Sequence, residues 1–297
     1  MTEIIDTPPR QARLATLALA LAAVCFGLVP LFARELQAAG LASPVIAFYR
    51  YAFTALALAP LFPLAREKRR EAAMAFGAGL IAGVGWIGYL EALKVAPVAA
   101  AGVVYMSYPV FAVLLAWGLA GQRPTKRAAA SGVLVLAAAA AVAPASSGGA
   151  ALGLLLALPA PFGFALAIVV ISALVRRLST LERMAAALSG SALGLMPLAL
   201  SGGLGAMAPA DPQVWALIFG AALATAFLPQ WIYTKAAPMV GPARTAAAGA
   251  MELPVMIAVG ALAFGEAAGP REALAAALVG AAILLAPAVR AVGATRP

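Results

Sequence analysis

Two stretches of this chain decide how it folds: Pro97-Val-Ala-Ala-Ala-Gly-Val-Val-Tyr-Met-Ser-Tyr-Pro109 and Pro242-Ala-Arg-Thr-Ala-Ala-Ala-Gly-Ala-Met-Glu-Leu-Pro254. They overlay without gaps at an offset of 145 residues, which also brings Ala92 onto Ala237. In so alanine-rich a chain the paired prolines and the matching Met106 and Met251 carry the comparison. The overlay makes Ser107 and Glu252 mates, each two residues before a proline in the middle of an apolar run. Such a proline removes a backbone donor and loosens the helix, so Pro109 and Pro254 are candidate bending points.

The surroundings of both stretches set the class. The chain of 297 residues is 64% hydrophobic and 10% charged, more apolar surface than a soluble protein of this size can cover. The formal charge of +9 does not point to nucleic acid, because the basic residues stand singly or in short groups between long apolar runs. There is no histidine and one cysteine, Cys25, which excludes an intrachain disulfide and any His- or Cys-built metal site. Neither a metal nor another cofactor is expected. The first apolar stretch continues to about Phe32, too long for a signal segment, and reads as a membrane helix that stays attached.

A helix crosses the hydrocarbon core in about 20 apolar residues. Ten candidates follow along the chain: 13–33, 44–64, 72–92, 97–119, 127–144, 150–175, 182–202, 213–235, 241–264 and 271–290. Charge or turn clusters separate them, such as Arg66-Glu-Lys-Arg-Arg70 and Pro209-Ala-Asp-Pro212. With both termini in the cytoplasm, sixteen of the 20 basic residues fall on the inner side. Arg34, Lys94 and Arg271 fall outside, and Arg50 lies within the second span, an asymmetry that fixes the orientation. The expected fold is an all-α integral membrane protein with short tails at 1–12 and 291–297 and five-helix repeats at 13–144 and 145–290. An odd number of spans per repeat inverts one against the other, a design of secondary transporters that places the substrate between halves near the midplane.

At this depth individual residues weigh more. Glu252 lies about ten residues into the ninth span, where an ionisable group serves a substrate or a proton, or else bonds a neighbouring helix. Arg50, six residues into the second span, is a partner for a substrate carboxylate, for Glu91 or for Glu252, unless its long side chain snorkels to the near face. Trp86, Tyr89, Tyr105 and Tyr108 lie away from span ends, and their polar tips need partners that a cavity lining supplies. Trp117, Trp215, Trp231 and Tyr233 fall near span ends and read as interfacial belts, while Glu91 and Lys94 read as interfacial charges. Gly79 and Gly83 form a small-residue contact in the third span, and Gly149/Gly153 and Gly190/Gly194 repeat the spacing. The alanine-rich fifth and tenth spans read as packing helices, with a homodimer contact as one use for them.

Tyr89-Leu-Glu-Ala-Leu-Lys-Val-Ala-Pro97 running into Met106-Ser-Tyr-Pro-Val-Phe111 resembles the third and fourth spans of the EamA family of the drug/metabolite transporter superfamily. Cys25-Phe-Gly-Leu-Val-Pro30 and Ala47-Phe-Tyr-Arg50 are similar to that family's first two spans. Phe264-Gly-Glu266 matches its glycine-glutamate step, which reads Ala120-Gly-Gln122 in the first repeat, without the acid. The resemblance extends over about residues 14–288. It implies an exporter of small metabolites in the inner membrane, most similar to those that move aromatic and other neutral amino acids. Another metabolite or a cationic drug, proton-coupled through Glu252, is the alternative. An enzyme is disfavoured by the missing histidine and by Asp6 and Asp211 lying outside the spans. The expected partners are a small-molecule substrate and the lipid bilayer.

Overall fold

The computed structural model describes residues 8–142, 152, 155–267 and 269–286, and among these all regular structure is helical. Much of the punctuation is proline, whose missing N–H costs nothing in a first turn. Proline stands at the first or second position of α1 (Pro9–Gly27), α2 (Val29–Ala38) and α3 (Ser43–Leu58). After a short 3-10 turn, Arg66–Lys68, comes the long α4 (Arg69–Val95). Then follow α5 (Val98–Tyr105), α6 (Tyr108–Ala120) and α7 (Lys126–Val142). The second half holds α8 (Pro159–Val169), α9 (Thr180–Leu200), the single turn α10 (Leu204–Met207), α11 (Pro212–Ala222), α12 (Leu228–Gly249), α13 (Glu252–Phe264) and α14 (Pro270–Leu285). Wide π turns, Val170–Leu174 and Leu223–Phe227, end α8 and join α11 to α12.

Among the described residues, five helical runs are long and apolar enough to cross a membrane: Pro9–Ala38, Ser43–Leu61, Arg66–Val95, Thr180–Leu200 and Pro212–Phe264. The last is 53 residues long, and Gly241 breaks it with φ 77° and ψ 172°, a conformation open essentially to glycine alone. That break falls where the sequence places the boundary between the eighth and ninth spans. Pro238, three residues earlier, stays inside the helix. The first helix starts at Pro9, a few residues before the expected 13, and the tail at 291–297 and the Gly149/Gly153 pair lie outside the described residues.

The two opening stretches share their punctuation. Ala96, extended at φ −135° and ψ 152°, precedes Pro97, as Gly241 precedes Pro242. The helix is interrupted again at Met106-Ser107 and at Ala250-Met251. Pro109 and Pro254 therefore sit in the first turns of α6 and α13, each a helix of 13 residues. Each helix ends on a left-handed glycine, Gly121 or Gly265, both with φ 65°. The next N–H then reaches back to Ala116 O at 3.1 Å or Gly260 O at 2.9 Å.

Helices far apart in sequence pack together: α4 on α9 and α8, α3 on α9, α1 on α12 and α13, and α5 on α13. The α4–α9 seam uses the small residues expected of it. A Cβ on Gly79 would strike the Ala187 carbonyl, one on Gly83 would lie 2.7 Å from Ser191 Cα, and one on Gly190 would strike the Phe76 carbonyl. Ser191 Oγ crosses the seam to Gly79 O at 2.7 Å. Helices α7 and α14, at the expected fifth and tenth spans, pack on each other and are joined by Ser131 Oγ donating to Ala282 O at 2.9 Å.

Candidate functional site

Four of the residues singled out by sequence meet at the centre of the bundle. Trp86 and Tyr89 on α4, Tyr105 ending α5 and Tyr108 starting α6 are each at most 3% exposed. Their rings form a chain, Trp86–Tyr89 at 5.0 Å, Tyr89–Tyr105 at 5.5 Å and Tyr105–Tyr108 at 5.3 Å between centroids. Three aromatic residues that the sequence reading left aside complete the cluster. Phe164 on α8 lies 5.0 Å from Tyr108, and Phe26 on α1 and Tyr233 on α12 lie 5.6 and 5.8 Å from Phe164. Tyr233 is thus a core residue, 4% exposed, and not part of an interfacial belt. Of the other belt candidates, Trp117 is 54% exposed and Trp231 38%, and Trp215 donates to Pro209 O at 2.9 Å.

Glu252 stands against this cluster as the first residue of α13 and is fully buried. Gly27 of α1 brings its backbone so close that a Cβ there would lie 2.6 Å from Val255 Cβ and 3.1 Å from Glu252 O. Among the described residues neither carboxylate oxygen has a hydrogen-bond partner. The Arg50 guanidinium acts on the group electrostatically without touching it, and Tyr89, Tyr105, Tyr108 and Tyr233 all lie within its field. Among the described residues the hydroxyls of Tyr105 and Thr245 are also buried without partners, whereas those of Tyr233 and Tyr108 lie together against Gly249. Tyr108 donates to Ala246 O at 3.1 Å, and Tyr89 points at Met256 Sδ, 3.7 Å away. Buried polar atoms are nearly always satisfied, so the unbonded oxygens of Glu252 set this residue apart within the core.

Ser107, the mate of Glu252 by repeat, is half-buried and donates to Val104 O at 2.8 Å in its own turn. Among the described residues it makes no bond to Glu252. Glu91 and Lys94 pair with each other at 2.8 Å on the surface, as interfacial charges do.

Arg50 does not snorkel, and among the described residues it pairs with no acid. It is 6% exposed and donates from Nε and Nη2 to Thr225 O at 3.2 and 2.7 Å, and from Nε to Thr225 Oγ1 at 3.1 Å. The π turn at Leu223–Phe227 widens the backbone there, which leaves a carbonyl available to a side chain. The guanidinium also stacks over Trp86, 4.3 Å from the ring centroid. Arg50→Lys keeps the charge but loses the planar fork, and is expected to cost about 2 kcal/mol of stability. Thermal unfolding in detergent followed by size-exclusion chromatography reads this as an earlier melt. An unchanged melt with altered transport would instead assign Arg50 to substrate.

Two small cavities flank the aromatic cluster. One, about 20 Å³, is lined by Arg50, Trp86 and Thr225 among others, and the second, also about 20 Å³, by Phe164, Gln230 and Tyr233. Each has room for about one water.

At the end of the bundle that carries Ala96, Glu266 ties the halves together. It accepts from Arg34 Nη1 at 3.0 Å and caps α5 through Val98 N–H at 3.0 and 3.1 Å. Arg34 Nη2 reaches Ala96 O at 3.0 Å, and its guanidinium lies 4.6 Å from the Phe264 ring centroid. The glycine-glutamate step thus has a structural use.

Residues 13–143 match the family model described as the EamA-like transporter family. No match was found among curated proteins. Among 18 matching chains of solved structures is one described only as a crystal structure of protein. It has a TM-score of 0.69 at 16% identity, over 91% of this chain and 96% of that one. At that identity the likeness concerns the fold alone. By its apolar helices and the family match, the chain is a multi-pass membrane protein that is similar, over residues 13–143, to the EamA-like transporters.

Proposed function

We propose that this protein is a secondary transporter that exports neutral amino acids, aromatic or bulky and apolar, across the inner membrane by alternating access. The observation that carries the reading is Glu252, buried without a partner against a cluster of tyrosines and phenylalanines. A carboxylate there receives an ammonium group, and the rings accept an apolar side chain. The shared punctuation of the Pro97–Pro109 and Pro242–Pro254 stretches supports ten spans in two inverted repeats, with both termini cytoplasmic. In that frame Pro109 and Pro254, in the first turns after matched breaks, are the bending points. Ser107 is the uncharged mate of the carboxylate and lines the same path.

A second reading, export of a cationic drug or another metabolite coupled to a proton on Glu252, draws on a different observation. Arg50 is already committed to Thr225, which leaves the carboxylate without a dedicated cationic counterpart for a zwitterion. Proteoliposomes of purified protein, given labelled tyrosine, phenylalanine, leucine and a lipophilic cation with and without a pH gradient, separate the two. Saturable flux of the amino acids is expected. Flux of the cation alone would replace the first reading with the second, and flux of none of them would overturn both.

A further inference from the structure

The other concentration of unsatisfied chemistry lies on the surface. The turn at Arg66–Lys68 and the start of α4 meet the segment 175–179 that joins α8 to α9. Glu71 accepts the backbone N–H groups of Arg176 and Arg177 at 2.8 and 2.7 Å. Lys68 pairs with Glu182 at 2.7 Å, and Glu182 also accepts the Ser179 N–H at 2.8 Å in a capping box. Two of the three acids in this region are therefore turned to backbone donors or to Lys68.

The arginines are left over. Arg66, Arg69, Arg70, Arg176 and Arg177 are all exposed, and Glu67 is the one exposed acid beside them. Arg69 and Arg176 each donate Nε to a backbone carbonyl, at 3.3 and 3.4 Å, and Arg177 reaches Glu67 O at 3.5 Å, so among the described residues none of these guanidinium groups meets a carboxylate. Leu64, 73% exposed, and Leu61, 43% exposed, stand in the turn just ahead of them. The rim adjoins the ends of two apolar helices, α4 and α8. Guanidinium forks matched to planar oxygen pairs, next to exposed leucines at a helix end, have the chemistry of a lipid headgroup site.

We propose that this rim binds the phosphate of an anionic phospholipid, with Leu61 and Leu64 set against its acyl chains. A bound headgroup would bridge the segment before α4 to the segment after α8, adding to the Glu71 bonds, the Lys68–Glu182 pair and the long Arg177 contact that join this region now. The site stands apart from the transport reading and does not depend on it.

Native mass spectrometry of the full chain in detergent, with phosphatidylglycerol and phosphatidylcholine of matched acyl chains, tests the assignment. Phosphatidylglycerol is expected to bind at least tenfold more tightly, with the preference falling as salt rises. The quadruple variant Arg66→Gln/Arg70→Gln/Arg176→Gln/Arg177→Gln should bring the two lipids to parity. The pair Arg123→Gln/Arg127→Gln, basic residues elsewhere, should leave the preference intact. Should the quadruple variant fail to fold, Arg70→Gln and Arg176→Gln alone should each lower the preference at least threefold. A preference unchanged in these variants, or lost equally in the control pair, overturns the proposal. Full displacement of the lipid by millimolar inorganic phosphate also overturns it, as a site for free phosphate.

Discussion

Glu252→Gln is expected to lower transport at least tenfold while leaving the protein as stable as its parent, or more so. The two expectations follow from one observation, that neither oxygen of this carboxylate bonds to any of the described residues. A carboxylate used as a structural anchor would hold a neighbouring helix, and its loss would cost the usual penalty of a broken buried bond, about 1–3 kcal/mol. No described residue is held by it, so an uncharged residue of the same shape removes only the burden of carrying an ionisable group in a buried site. A tenfold loss corresponds to about 1.4 kcal/mol of interaction with whatever the carboxylate receives, a modest demand on a charge-assisted bond. Flux into proteoliposomes and the melting temperature in detergent are measured together. If the carboxylate also carries a proton, parent flux responds to an imposed pH gradient and variant flux does not. Undiminished flux in Glu252→Gln removes this residue from the transport path. A melt lowered in proportion to the flux would reassign it to the scaffold.

The reach of the sequence ends at features that leave no period or composition behind. Apolar runs bounded by proline, glycine and charge point to helices, and five helical runs among the described residues are long and apolar enough to cross a membrane. The four aromatics Trp86, Tyr89, Tyr105 and Tyr108 could be sorted from the rest by depth alone. Tyr233 was lost by the same rule. The span read as 213–235 puts Tyr233 near its end, yet α12 continues through Pro238 to the break at Gly241, and the ring lies in the core. Arg50 was visible as a buried charge, but its partner was not. Thr225 sits in Ala-Thr-Ala with nothing to distinguish it, and the π turn that opens its carbonyl has no sequence signature as plain as a proline. The acid of the glycine-glutamate step could be read, but its bonds to Arg34 and to Val98 depend on where α2 and α5 come to lie.

Gly79→Ala is expected to destabilise the protein by about 3 kcal/mol, and Gly77→Ala to leave it unchanged or firmer. The two substitutions add the same methyl group to the same helix, two residues apart. Replacing a mid-helix glycine by alanine by itself favours the helix by up to about 1 kcal/mol, so any loss must come from what the methyl meets. At Gly77 it meets nothing within 4 Å. At Gly79 it strikes the Ala187 carbonyl and would lie 2.9 Å from Ala187 Cα, against backbone that cannot swing aside. The seam is reciprocal, since Gly190 on α9 faces the Phe76 carbonyl of α4 and Ser191 donates across it to Gly79 O. Lipid offers no hydrophobic drive to hold two helices together, so close backbone approach and that one hydroxyl must do it. Overpacking of this kind costs about 1–3 kcal/mol where neighbours can yield, and α9 is pinned on its other side by α3. Gly79→Val with Gly190→Val should therefore leave no monodisperse protein on size-exclusion chromatography, while Gly77→Val elutes as the parent does. Equal melting temperatures for Gly79→Ala and Gly77→Ala would mean that α4 and α9 slide apart freely, and that the scaffold beneath the aromatic cluster does not rest on this seam.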